Sequence, residues 1–303
     1  MKNKKTWVPL KKNSMIDIIA PASRCPLDEL NAGIKELESW GYRVRVPNKI
    51  FGDHWTHSHE NEERFLQLKN ALYAQDSSAV WCVRGGYGSL KLLPQLAKLK
   101  PPSQVKLFLG LSDITSLHLF LNQKWKWPTL HSPIVSRIGR GDLPVSTIIE
   151  LQNIICGKQS EVLFKVKPLN DAAKNFKGEG IIVGGNFTTL QTTLGTPFQW
   201  QPKNSILFLE DVGERAYRLD RIWEHFKQAG LLNKAKAIVL GDFTDGHEKN
   251  GVDLIPKFIK ERVQEISVPV YGGLPVGHGP IQRVLPLGVS VQLNSKKLII
   301  HVK

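Results

Sequence analysis

Short apolar runs alternate with amphipathic stretches through the first 110 residues, and this alternation constrains the fold more than any other feature of the chain. "MIDIIAPA" (15–22) reads as a strand. "LDELNAGIKELESWG" (27–41) reads as a helix that stops at Gly41, as helices often do at glycine. "YRVRVP" (42–47) is a second strand, "NEERFLQLKNALYAQ" (61–75) a helix, "AVWCVRGG" (79–86) a strand, "YGSLKLLPQL" (87–96) a helix start and "VKLFLG" (105–110) a strand. Strands separated by helices predict a mostly parallel sheet with helices on both faces, a Rossmann-like α/β arrangement. Chemistry in such sheets sits in loops at the carboxyl ends of strands. Three such loops stand out here: "APAS" (20–23), "RGGYGS" (84–89) and "GLSD" (110–113).

The rhythm breaks over 150–178, and 161–177 reads as a crossover between two domains. Residues 1–160 form the N-terminal α/β domain and 178–303 a smaller C-terminal α/β domain. The second domain is richer in strands and glycine and ends in a β-hairpin. With 303 residues, 41% of them hydrophobic, the chain has material for two cores.

Composition narrows the class of function. No apolar run approaches the roughly 20 residues of a membrane helix. The opening "MKNKKTWVPLKKNSMIDIIAPAS" is basic like a signal peptide, but Asp17 interrupts its short apolar patch. It therefore reads as a basic tail leading into a strand. Cys25, Cys82 and Cys156 form no CxxC pair and are odd in number. That argues for a reducing compartment, hence the cytoplasm. A net charge of +14 attracts anions. The lysines are scattered, however, with no zinc-finger spacing or RNA-binding signature, so an anionic small substrate fits better than nucleic acid.

Ser112 sits where an apolar strand turns into a helix. Open N–H groups and the helix dipole favour negative charge there, including a tetrahedral oxyanion. The turn is close to the nucleophile elbow G-x-S-x-G. Gly110 is present, but Ile114 replaces the last glycine, and a helix N-cap is the competing role for the serine. A nucleophilic serine needs a base and an orienting carboxylate. Of the nine histidines, His118, His225 and His301 fall within regular elements. His54, His57 and His59 crowd a segment that reads as a solvated loop without metal-ligand spacing, and His131 has no carboxylate in its segment. His278, between Gly277 and Gly279 just after a strand, is held where it can project into a cleft. "SILFLEDVGE" ends a buried strand in Glu210-Asp211, and a carboxylate there is costly without a partner. Strand alternation turns Asp211 to the opposite face. Glu214, Arg218, Asp220 and Arg221 read as ordinary salt-bridging residues. Gly85 and Gly86 leave backbone N–H groups open to close approach, with Arg84 beside them as a bidentate partner for a carboxylate. No phosphate-binding glycine pattern occurs.

Six segments in order resemble the LD-carboxypeptidase family, serine peptidases that also include the microcin C immunity peptidases. They are "IIAPAS" (18–23), "VWCVRGGYGSLKLLP" (80–94), "GLSDITSLHL" (110–119), "GGNFTTLQTTLGTP" (184–197), "LFLEDVGERAYRLDR" (207–221) and "GLPVGHG" (273–279). The resemblance implies a triad of Ser112 as nucleophile, His278 as base and Glu210 as its orienting partner. It also implies an oxyanion hole from the N–H groups of Gly86 and Asp113, with the serine and its partners on different domains across a cleft. Arg84 and Gly85 would contact substrate. The implied reaction removes D-alanine from murein tetrapeptides in cell-wall recycling, in the cytoplasm, by a homodimer without metal or cofactor and without a nucleic-acid or membrane partner. A peptidyl-nucleotide immunity peptidase is the alternative within the family. A non-catalytic murein-peptide binder is the alternative outside it.

Overall fold

The computed structural model describes residues 6–302; the first five residues of the basic tail lie outside the described residues. The chain divides into two units. One runs to Gln159 and takes back Arg283–Leu285; the other comprises Ser160–Gln282 and the remainder after Leu285.

The first unit is built on β1 (Met15–Ile19), β2 (Arg43–Arg45), β3 (Ala79–Cys82), β4 (Leu107–Gly110) and β5 (Thr129–His131). Pairing from β2 through β1, β3 and β4 to β5 is parallel throughout. β3 and β4 are buried along their whole length, the mark of a parallel sheet covered on both faces. Helix α1 (Leu27–Ser39) buries Leu30, Gly33 and Leu37, one stripe of a 3.6-residue period. Gly33 permits close packing: a Cβ there would lie 2.5 Å from the Val135 carbonyl oxygen. Helix α2 (Asn61–Tyr73) buries Gln67, Leu68, Ala71 and Leu72, and, on the same stripe, Arg64.

The second unit contradicts one expectation. Residues 161–177 are not a crossover. They form β6 (Glu161–Lys165), β7 (Lys167–Pro168) and the short helix Asp171–Lys174, and β6 and β7 are the two edges of an eight-stranded sheet. The reason is a period-two pattern: Val162 and Phe164 are fully buried between the exposed Glu161, Leu163 and Lys165, so β6 covers a core with one face. Four parallel strands make the centre of this sheet: β8 (Lys177–Asn186), β9 (Ser205–Val212), β10 (Ala237–Thr244) and β11 (Val270–Gly272). β12 (Leu285–Leu287) belongs to the first sheet, beside β5. The hairpin of β13 (Val289–Asn294) and β14 (Lys297–His301) joins β8 to β6 by antiparallel pairing.

Candidate active site

In the first unit, the end of β4 fixes the serine. Leu111 is fully extended (φ −154°, ψ −178°) and Ser112 then turns into the left-handed region at φ +66°. That conformation costs a residue with a Cβ about 1–2 kcal/mol and persists only where the surroundings impose it. A short 3₁₀ turn and the helix Thr115–Phe120 follow. The missing second glycine of the elbow has a steric explanation. A Cβ on Gly110 would lie 2.7 Å from Ile114 Cγ2, so the isoleucine occupies the space that Gly110 leaves open. Behind the turn, the buried His118 holds the Gly110 carbonyl through Nε2 at 2.9 Å. Burial pulls its pKa down to about 3, so the ring stays neutral and Nε2–H is the donor. His131 is buried opposite Gly110 in register.

The glycine loop after β3 packs against this serine. A Cβ on Gly85 would come 2.5 Å from Ser112 Cβ and 2.9 Å from its Oγ, so only glycine lets the backbone approach so closely. Gly86 adopts φ +97°. Ser23 from the loop after β1 grips both sides of it: its N–H donates to the Gly85 carbonyl at 3.0 Å, and its Oγ accepts the Tyr87 N–H at 3.2 Å. The buried Asp113 side chain accepts the Ser89 N–H at 2.8 Å, and Ser89 Oγ donates back to the Asp113 carbonyl at 2.5 Å. Arg84 is exposed and spends one N–H on the Arg24 carbonyl at 3.0 Å.

In the second unit, β9 carries Glu210 to the carboxyl end of the sheet, where Glu210 is fully buried. His278 Nδ1 lies 2.7 Å from its Oε2. Since an ionised carboxylate only accepts, Nδ1 carries the proton and the basic lone pair is on Nε2. The loop that presents the histidine is tightly held. Gly277 stands at φ +139°, and a Cβ there would lie 2.9 Å from Glu210 Oε2. Gln282, buried and at φ +47°, donates its amide to the Gly277 carbonyl at 2.7 Å. On the other side of this loop, the Asp242 N–H donates to the Val276 carbonyl at 2.8 Å. Asp211 performs a different task from its neighbour. It accepts from Asn186 Nδ2 (2.9 Å) and from the N–H and Oγ1 of Thr188 (2.9 and 2.8 Å), capping the short helix Phe187–Gln191. Burial, and then the charge of Glu210, push its carboxyl up to about 6.

The "DHWTHSHE" segment is not the solvated loop its polarity suggests. His57 and Ser58 are buried because the segment is tied to the loop after β1: the Ser58 N–H donates to the Ala22 carbonyl at 2.8 Å and its Oγ to that of Ala20 at 2.5 Å. Burial, reinforced by Arg64, pulls His57 down to about 4. Among the described residues no trio of His, Cys, Asp or Glu is arranged to hold a metal ion. Arg218 pairs with Glu214 at 3.3 Å and Asp220 with Arg262 at 2.5 Å. The cysteines are free thiols; burial raises Cys25 to about 11 and Cys82 well above the ordinary range, so neither supplies a thiolate nucleophile. A cavity of about 540 Å³ in the first unit lies away from the serine, between β1, the end of β2 and α2, lined by Asp17, Arg45, Asn48 and Gln67. Reading the sequence missed Ser23, Ser89, Gln282 and Arg64, which brace these loops. Only Arg64 carried a signal, as a charge on the apolar stripe of α2.

Comparison with known proteins identifies the family. Residues 16–132 match the LD-carboxypeptidase N-terminal domain and residues 179–293 the LD-carboxypeptidase C-terminal domain. The chain is 32% identical to the murein tetrapeptide carboxypeptidase of Pseudomonas aeruginosa, over 97% of this chain and 96% of that one. The crystal structure of muramoyltetrapeptide carboxypeptidase from Oxalobacter formigenes superposes with a TM-score of 0.82 at 31% identity, covering 95% of this chain and 99% of that one. An MccF-like protein from Bacillus anthracis, at 20% identity and TM-score 0.83, covers 99% of this chain and all of its own and shares the fold. The chain belongs to the LD-carboxypeptidase family.

Proposed function

We propose that this protein is a serine carboxypeptidase that removes the terminal D-alanine from murein tetrapeptides. Ser112 Oγ attacks the carbonyl carbon that precedes D-alanine, and its proton passes to His278 Nε2. Glu210 holds the ring through Nδ1–H and stabilises the imidazolium. The N–H groups of Gly86 and Asp113 receive the oxyanion, each donor contributing on the order of 3 kcal/mol. The tetrahedral adduct collapses, the C–N bond breaks, and the proton on Nε2 leaves with the D-alanine amine. Water, deprotonated by the same imidazole, then attacks the ester and frees Ser112 and the shortened peptide. Arg84 receives the substrate's terminal carboxylate, with Gly85 beside it, and a net charge of +14 gathers a substrate rich in carboxylates.

The observation that carries this reading is the buried Glu210 carboxylate 2.7 Å from His278 Nδ1. A fully buried charge is retained against its desolvation cost where its partner needs it, and here it fixes the tautomer a general base requires. The relatives that carry murein-peptide names support the substrate. We assign the enzyme to the cytoplasm as a homodimer; its free thiols fit a reducing compartment. Among the described residues no helix is long and apolar enough to cross a membrane.

The test is incubation of the full chain with a murein tetrapeptide ending in D-alanine, read by mass spectrometry and by release of the free amino acid. Tripeptide and D-alanine are expected in equal amounts, unaffected by EDTA, and the L-alanine diastereomer should remain intact. Cleavage of a peptidyl-nucleotide alone would transfer the same chemistry to the immunity-peptidase reading. Binding of the tetrapeptide without any cleavage would leave a murein-peptide binder.

A further inference from the structure

Arg64 is fully buried in α2, and its guanidinium reaches three separate loops. Nε donates to the His59 carbonyl at 3.1 Å. Nη1 donates to the carbonyls of Pro21 and, at 3.0 Å, Gly88. Nη2 donates to Asn61 Oδ1 at 2.5 Å. Pro21 lies two residues before Ser23, and Gly88 two residues after Gly86. One side chain therefore anchors both the loop that grips Gly86 and the loop that contains it.

Asp113 completes the clamp from the other side. Burial lowers the pKa of Arg64, and the largest charge opposing that loss is Asp113. Asp113 in turn receives the backbone N–H of Ser89 at 2.8 Å. Gly88 is thus held from both sides, its carbonyl by Arg64 and the N–H of the same peptide group, that of Ser89, by Asp113. Its φ of +122° and its tight surroundings leave it no side chain: a Cβ would lie 2.7 Å from His57 Nε2 and 3.0 Å from Arg64 Nη1. Burying a guanidinium costs several kcal/mol that the charge of Asp113 and four acceptors, three backbone carbonyls and Asn61 Oδ1, have to offset. A planar fork with five donors can bridge these acceptors at once, and a lysine ammonium on a flexible stem cannot reproduce that geometry.

We propose that Arg64 is a positioning residue for the oxyanion hole: with Asp113 it sets the position of the Gly86 N–H relative to Ser112. The inference rests on the peptidase reading above, because it assigns Gly86 a donor's role. Preorganised donors act on the transition state rather than on the bound substrate, so the loss should fall on kcat.

The experiment compares Arg64→Met and Arg64→Lys with the full wild-type chain in three measurements: thermal melting, kcat and KM for D-alanine release, and amide hydrogen exchange of residues 84–89. Arg64→Met is expected to lower kcat about 100-fold, within the range for losing one oxyanion donor, with KM changed less than threefold. Exchange over 84–89 should rise while β3 and β4 stay protected. Arg64→Lys keeps the charge and should recover part of the loss. An aldehyde analogue of the substrate, which forms a tetrahedral adduct with the serine, should lose affinity in proportion to kcat, whereas affinity for the tripeptide product should hold. A folded Arg64→Met with wild-type kcat and unchanged exchange overturns the proposal. If that variant does not fold, Ser89→Ala, which removes the hydroxyl bonded to the Asp113 carbonyl and to Ser116 Oγ, should still lower kcat several-fold and raise exchange over 84–89. No change in either measurement overturns the proposal. If the wild type releases no D-alanine, the peptidase reading fails, and the exchange measurement still decides whether Arg64 fixes the loop.

Discussion

Ser112→Ala is expected to lower kcat for D-alanine release by about 100,000-fold, the scale on which loss of a nucleophile is felt when its partners remain. The fold should not register the change. Ser112 is only half-buried and its strain lies in the backbone, at φ +66°, which alanine inherits. Ser112→Gly separates the two effects. Glycine occupies the left-handed region without a steric penalty, so this variant should be equally inactive but more stable by up to about 1 kcal/mol, less what glycine's freedom in the unfolded chain takes back. Chemical denaturation of the three proteins checks the stabilities, and the D-alanine assay the rates. Wild-type turnover by Ser112→Ala would remove this serine from the mechanism.

Glu210→Gln is the second large effect, with kcat expected to fall about 10,000-fold while tetrapeptide binding is retained. The substitution keeps the shape of a side chain that has no room to move, since the residue is fully buried and a single added carbon at Gly277 would already lie 2.9 Å from its Oε2. It changes the chemistry in two ways. The amide no longer stabilises an imidazolium, and its NH₂ group can donate to His278 Nδ1, which moves the proton to Nε2 and removes the base. His278→Ala should be equally slow. The measurement is steady-state kinetics on the tetrapeptide, paired with calorimetric binding to Ser112→Ala and to Ser112→Ala/Glu210→Gln. A fall in affinity matching the fall in rate would recast Glu210 as a substrate-binding residue.

The sequence carried this site unevenly, for physical reasons. The sheet of the first unit was legible because its central strands β3 and β4 are buried on both faces and read as unbroken apolar runs, "AVWC" and "LFLG", punctuated by glycine. Ser112 stood out because Gly110 opens the strand-to-helix turn that carries it, and His278 because Gly277 and Gly279 flank it; glycine marks backbone that must approach closely or turn left-handed. Residues 161–177 were misjudged although "EVLFK" alternates as an edge strand should. The run is short and two of its three exposed positions are charged, which is equally the composition of a connection. "DHWTHSHE" was misjudged because its burial comes from hydrogen bonds to carbonyls of the loop after β1, and no side-chain pattern reports those. The same holds for the braces Ser23, Ser89 and Gln282. Ser23 and Ser89 bond backbone far along the chain, and Gln282 bonds a carbonyl five residues back across an irregular loop, so no side-chain periodicity announces any of them.

The central claim is that the Ser112 hydroxyl is made nucleophilic by His278 and Glu210. Its most direct test is phosphonylation by a serine-directed fluorophosphonate, followed by intact-mass measurement and peptide mapping. One adduct per chain is predicted, on Ser112, forming at least about 100-fold more slowly in His278→Ala and in Glu210→Gln, in keeping with general-base activation. An adduct on another residue, or labelling of Ser112 at the same rate in His278→Ala, would contradict the account.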